Sequence, residues 1–245
     1  MKRLLLLALV LAGCGGSAAP APTTTAPPPP AADVFPAQGA ERATVVLFHG
    51  WTDLDPTNYR PWIGHLNAQG VTVVFPRYQD SILSTPAQML AGAERTTRAG
   101  LAEAPPSGPV IAVGYSLGGG YATVMAASAA AWDVPQAAAV YGVFPALPPV
   151  VPDPFGAVPA ATTARYLVGD RDEVVGRGGA DDLAAAIAPH PATITVLRSE
   201  GDADFGHLAG LSDAPWAQRA IWAPNRKSTR LNSSHVSESR MPSSA

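Results

Sequence analysis

Residues 110–120 read Val-Ile-Ala-Val-Gly-Tyr-Ser-Leu-Gly-Gly-Gly: an apolar run, a serine flanked by glycines, and the start of a helix-forming stretch that continues to Ala131. Val110 to Val113 is apolar without alternation, as a strand covered on both faces requires. Gly114 and Gly118 carry no Cβ to clash across a sharp turn, and Gly119 and Gly120 allow close helix packing. The segment therefore predicts a buried strand, a tight turn holding Ser116, and a helix.

The same alternation extends in both directions. Toward the N-terminus, Thr44 to Phe48 predicts a buried strand followed by a loop with His49-Gly50-Trp51. Pro61 opens a short helix through Gln69, with Gly70 as its stop, and Val71 to Phe75 predicts a second buried strand ended by Pro76. Thr85-Pro86 starts a longer helix with Met89, Leu90, Ala93, Thr97 and Leu101 on one side, ending before Pro105-Pro106. Toward the C-terminus come a strand at Ala137 to Val143, a proline-rich excursion from Pro145 to Pro159, and a fifth strand at Ala164 to Val168. A helix at Asp181 to Ala188, a sixth strand at Thr193 to Leu197 and a last helix at Ala214 to Trp222 complete the pattern. Such alternation predicts a three-layer α/β/α sandwich with a mainly parallel sheet and right-handed crossovers. Functional groups are then expected at the carboxyl ends of the strands.

A serine hydroxyl is a poor nucleophile until a base takes its proton. Of the five histidines, His235 lies near the C-terminus, His65 falls in a helix, and His190 precedes the sixth strand, at its wrong end. His49 and His207 remain. His207, in the loop from Gly201 to Gly210, is placed to reach Ser116, whereas His49 is expected to brace its own loop. A carboxylate is expected after the preceding strand, where Gly169-Asp170-Arg171-Asp172-Glu173-Val174-Val175 stands. Asp172 and Asp170 compete within that turn, and Asp153 is a more distant rival.

Over residues 43–223 these features resemble the α/β-hydrolase family, in its serine esterase, lipase and dienelactone-hydrolase-like form. Gly114-Tyr115-Ser116-Leu117-Gly118 fits the G-x-S-x-G nucleophile elbow, and the acid turn resembles the family's G-x-x-D-x-x-V, which aligns Asp172 with the triad acid. The order Ser116, Asp172, His207 is the family's order of nucleophile, acid and base. His49-Gly50-Trp51 resembles its oxyanion loop, so the resemblance implies the backbone N–H groups of Trp51 and Leu117 as oxyanion donors. It also implies hydrolysis of a carboxylic ester through an acyl-enzyme on Ser116, with no metal and no organic cofactor. A peptidase or acyltransferase would use the same three residues, and a non-catalytic binding module would keep the fold without the chemistry. Because no insertion is long enough for a lid domain, the expected substrate is a small-molecule or polymer ester accessible at an open site. Trp51, Tyr78 and Tyr115 are candidates to line that site, although aromatics near a strand end as often simply pack there, and Arg77 reads first as an ordinary solvated arginine, with recognition of a substrate carboxylate as the alternative.

The ends of the 245-residue chain read differently. Lys2 and Arg3 precede the apolar run Leu4 to Ala12, too short to span a bilayer but suited to a signal-peptide core. Leu11-Ala12-Gly13-Cys14 resembles the bacterial lipobox, which implies a signal peptide at 1–13, acylation of Cys14, and a lipoprotein exported to the cell envelope. Cys14 is the only cysteine, so no intramolecular disulfide forms. Residues 14–40, rich in Pro, Ala and Thr, are expected to be a disordered tether that favours extended polyproline II, at ~3.1 Å per residue. Residues 226–245 lose every hydrophobic period and resemble translated sequencing-adapter sequence, so they are read as a non-native disordered tail. That leaves residues 41–225 as one domain.

Charge follows from this division. Of 16 basic and 19 acidic residues, Lys2, Arg3, Arg226, Lys227, Arg230, Arg240 and Glu238 lie in the ends, leaving 10 basic against 18 acidic, or −8. That balance excludes an electrostatic footprint for nucleic acid and direct adhesion to anionic lipid. Membrane attachment is expected through Cys14 alone.

Overall fold

A computed structural model describes residues 32–149 and 158–222. Strands β1 (Ala32–Phe35), β2 (Ala43–Phe48), β3 (Val71–Pro76), β4 (Val110–Tyr115), β5 (Ala137–Val143), β6 (Thr163–Gly169) and β7 (Ala192–Leu197) form one sheet in the order β1-β3-β2-β4-β5-β6-β7. Only the β1–β3 pair is antiparallel. The helices are α1 (Arg60–Ala68), α2 (Pro86–Glu103), α3 (Leu117–Ser128), α4 (Gly178–Ala186) and α5 (Pro215–Trp222).

The layers follow from the period of two along each strand. Val46 and Phe48 of β2 enter a core with Met89 of α2, Val124 of α3 and Leu183 of α4. Val45 and Leu47 enter the opposite core with Trp62 and Leu66 of α1 and Ile221 of α5. Both faces of the sheet are thus covered, which is why its strands read as unbroken apolar runs. The capping box at Thr85 and Gln88 fixes the start of α2.

Chain direction positions the site. The connection through α1 runs from β2 outward to β3, and the connection through α2 returns past β2 to β4. Strand order therefore reverses between β2 and β4, and right-handed crossovers in opposite directions put α1 and α2 on opposite faces. A crevice opens at such a switch point, at the carboxyl ends of the two strands. Phe48 pairs with Gly114 there, so the loops beginning at His49 and Ser116 emerge side by side.

One expectation is corrected. The tether was expected to run to residue 40, but Ala32–Phe35 pairs with β3 and extends the sheet. Four residues carry too little period to announce a strand; the exposed edge of β3 supplies the partner. Ala32 packs so closely on α2 that a Cβ on Gly100 would lie 2.8 Å from its own. Cys14, Asp153, His235 and residues 226–245 lie outside the described residues.

Candidate active site

Strand β4 ends at Tyr115 and α3 begins at Leu117, so the whole turn is made at Ser116. Its φ of 53° and ψ of −125° place it in the mirror image of the extended region, a strained conformation for a residue with a Cβ. A Cβ on Gly114 would lie 2.0 Å from the Gly118 carbonyl oxygen, and one on Gly118 would lie 2.1 Å from that of Phe48. The spacing of the two glycines is thus a requirement of the turn. Ser116 N–H donates to the Val143 carbonyl at 3.0 Å, and its own carbonyl accepts from Gly119 and Ala146, both at 2.9 Å, which ties the turn to β5 and the loop beyond it.

Three side chains from different strand ends meet here. Ser116 Oγ lies 3.0 Å from His207 Nε2, and His207 Nδ1 lies 2.9 Å from Asp172 Oδ2. The other carboxylate oxygen, Oδ1, accepts the N–H groups of Val174 at 2.9 Å and Val175 at 3.0 Å. Burial opposes ionisation of Asp172, but the hydrogen bond from His207 and those two amides outweigh it and hold the carboxyl below its ordinary range. An ionised carboxylate only accepts, so Nδ1 carries the imidazole proton and the Nε2 lone pair faces the serine hydroxyl. His207 opens a short 3-10 turn, His207–Leu211, after β7. Its carbonyl accepts from Tyr115 OH at 2.9 Å, and its ring packs against Tyr115 and Phe144, with centroids 5.1 and 6.2 Å away.

The loop after β2 lies against this group. A Cβ on Gly50 would come 3.0 Å from the Tyr115 ring and 3.6 Å from Ser116 Cβ. Its backbone is pinned on both sides of Trp51. Tyr78 OH donates to the His49 carbonyl at 2.7 Å, Gly50 N–H donates to Tyr59 OH at 2.6 Å, and Thr52 N–H donates to Gln79 Oε1 at 2.9 Å. His49 Nδ1 bonds the Gly50 carbonyl at 2.7 Å, and the fully buried ring stacks on Tyr78 with centroids 4.1 Å apart. Burial drops the His49 pKa to about 4, so the ring is neutral and Nδ1 is the donor. Among the described residues, no acceptor is bonded to the N–H of Trp51 or of Leu117, the latter at the first position of α3.

Solved structures share this architecture. Esterase 2 of Thermogutta terrifontis with butyrate bound superposes with a TM-score of 0.52 at 18% identity, over 72% of this chain and 79% of that one. The same esterase phosphorylated by paraoxon gives 0.55 at 18% identity, over 78% and 84%. Acyl-protein thioesterase 2 of Zea mays gives 0.54 at 15% identity, over 78% and 95%. The chain has the α/β-hydrolase fold. No protein-family model matches the sequence, and no curated protein does.

Within the α/β-hydrolase fold, the expected residues sort themselves by contact. Asp170, the competing acid, turns away and accepts from Ser199 N–H at 2.9 Å and Ser199 Oγ at 2.6 Å. His190 bonds the Thr162 carbonyl at 2.7 Å, and His65 stacks on Trp222, neither near Ser116. Arg77, read as a solvated arginine with a substrate carboxylate as the alternative partner, pairs with Asp33 of β1 at 2.9 Å, a partner supplied by the strand that local pattern does not announce. Tyr78 is buried behind the His49 loop and does not line the site. Tyr59 and Gln79 escaped sequence reasoning because their contacts with the 50–52 loop cross 9 and 27 residues without a local signal.

Proposed function

We propose that this chain is a serine hydrolase of carboxylic esters, with Ser116 as nucleophile, His207 as general base and acid, and Asp172 orienting the imidazole. The assignment rests on the unbroken hydrogen-bond chain from Ser116 Oγ through His207 to Asp172, on a turn that accepts strain to present the serine. Esterase and thioesterase neighbours of the same fold agree with ester chemistry.

In the first half-reaction, Ser116 Oγ bonds to the ester carbonyl carbon while His207 Nε2 takes the hydroxyl proton. The carbonyl oxygen becomes an oxyanion, which the unpaired N–H groups of Trp51 and Leu117 receive; one such donor is worth ~2.7–4 kcal/mol to the transition state. Collapse breaks the bond to the alkoxy group, which leaves with the proton from His207. Water then repeats the sequence on the acyl-enzyme, returning Ser116 and releasing the acid. The substrate is a small-molecule or polymer ester that reaches the half-buried Ser116.

A fluorophosphonate probe tests the nucleophile directly. The wild-type chain is expected to gain one covalent label at Ser116, and Ser116→Ala none; labelling of both proteins alike, or of neither, would refute the assignment. Tyr59→Phe tests the oxyanion loop. It removes the acceptor of the buried Gly50 N–H, a loss of about 1–3 kcal/mol if unreplaced, and is expected to lower kcat about tenfold with KM nearly unchanged. An unchanged kcat in steady-state assays would remove the Tyr59 contact from the mechanism.

A further inference from the structure

Six large apolar side chains are exposed among the described residues: Trp51, Ile82, Leu83, Leu147, Val174 and Leu208. Their positions are not scattered. Trp51 follows β2, Ile82 and Leu83 follow β3, Leu147 follows β5, Val174 follows β6, and Leu208 follows β7. All stand on loops at the carboxyl edge of the sheet, the edge that carries Ser116, and none stands on the outer helix faces or the opposite edge. Isolated apolar side chains on a surface need no explanation, but their confinement to the loops around one reactive group does.

The degree of exposure separates two kinds of ligand. Residues that line a pocket for a small molecule are largely covered by their neighbours. Leu83, Leu208 and Val174 are 83%, 75% and 73% exposed, so they offer their surface outward to something broader than a pocket would hold. Charge narrows the choice further. The exposed acids Asp80, Glu173 and Asp202 stand on the same loops. Of the arginines at this edge, Arg77, Arg171 and Arg177 are each within 4.0 Å of an aspartate, on Asp33, Asp204 and Asp181, and the exposed Arg198 after β7 is outnumbered by the three acids. Such a rim repels anionic surfaces and carboxylate-bearing esters and tolerates uncharged apolar ones.

Building on the ester-hydrolase assignment, we infer that the rim docks onto the surface of an uncharged, apolar, aggregated ester, with Ile82 and Leu83 as contacts on the loop after β3, which carries none of the three reacting groups. Contact would bury the exposed side chains and deliver ester bonds to Ser116 without passage through a deep pocket.

The test uses the full chain on two substrates, dissolved p-nitrophenyl acetate and a tributyrin emulsion, with the double variant Ile82→Ser/Leu83→Ser. The variant is expected to keep its rate on p-nitrophenyl acetate within twofold and to lose at least tenfold on the emulsion; doping the droplets with phosphatidylglycerol is expected to slow the wild type. Equal rates of variant and wild type on the emulsion would overturn the inference, as would equal losses on both substrates. So would a dimer in sedimentation that the double variant dissociates, since the rim would then cover a second copy. Flotation of Ser116→Ala with tributyrin droplets reads docking without turnover. Failure of the wild type to hydrolyse either ester sinks the hydrolase assignment, whereas failure to float sinks only the docking surface.

Discussion

Ser116→Ala is expected to lower kcat on a dissolved ester by on the order of 10⁴-fold or more while leaving the fold in place. Alanine keeps the Cβ, the backbone bonds to Val143, Gly119 and Ala146, and the position of α3, and it removes only the oxygen that His207 faces. Ser116→Gly removes the same oxygen but also relieves the turn. With φ at 53°, any residue bearing a Cβ is strained by about 1–3 kcal/mol, whereas glycine occupies the mirror-image extended region freely. Against this stands glycine's greater loss of chain entropy on folding, ~0.5–1 kcal/mol. Strain relief is the larger effect, so Ser116→Gly is expected to melt roughly 2–4 °C above Ser116→Ala for each net 1 kcal/mol in a domain of this size. Both variants should be inactive. Near-full turnover by either removes Ser116 from the chemistry, and a lower Tm for the glycine variant would show that the turn stores no strain.

Asp172→Asn is expected to lower kcat by about 10⁴-fold, the magnitude seen when another triad's aspartate is made the amide. The reason lies in the two amides beneath it. Val174 and Val175 both donate to Oδ1, so the asparagine must keep its carbonyl oxygen there and turn its NH2 group toward His207 Nδ1. That nitrogen must then accept, the imidazole proton moves to Nε2, and the serine hydroxyl faces a donor where it needs a base. Size and backbone contacts are unchanged, so KM and Tm should move little. Asp170→Asn is the control: Asp170 bonds Ser199, and its variant should retain kcat within about threefold, the small effect typical of surface changes away from a site. Equal losses in the two variants would mean that the turn, not the Asp172 carboxylate, sets the rate.

Much of this arrangement was legible before any coordinates. Buried strands announce themselves by unbroken apolar runs, and the bounds read for Ala137 to Val143 coincide with β5. The Gly114 and Gly118 pair was legible for a steric reason that the structure makes quantitative, since neither position has room for a Cβ. His207 was reached because strand direction rules out an imidazole at the amino end of β7, as His190 is. Less was legible where the partner lies far off in sequence. Asp170 and Asp172 sit in one turn with equal local chemistry, and Arg77 gives no hint that a strand from residue 32 will neutralise it.

The amino-acid sequence by itself determined the alternation of strand and helix, the turn at Ser116 and the chain order of hydroxyl, carboxylate and imidazole. Each of these depends on sterics or periodicity within a few residues, where identity alone decides. Only the tertiary structure brought Asp172 and not Asp170 against His207, added β1 to the sheet, clamped the 49–52 loop with Tyr59, Tyr78 and Gln79, and gathered the exposed apolar side chains on one rim. Those outcomes depend on hydrogen bonds spanning 35 and 91 residues and on sheet register, which places groups to within a fraction of an ångström only once both cores have packed.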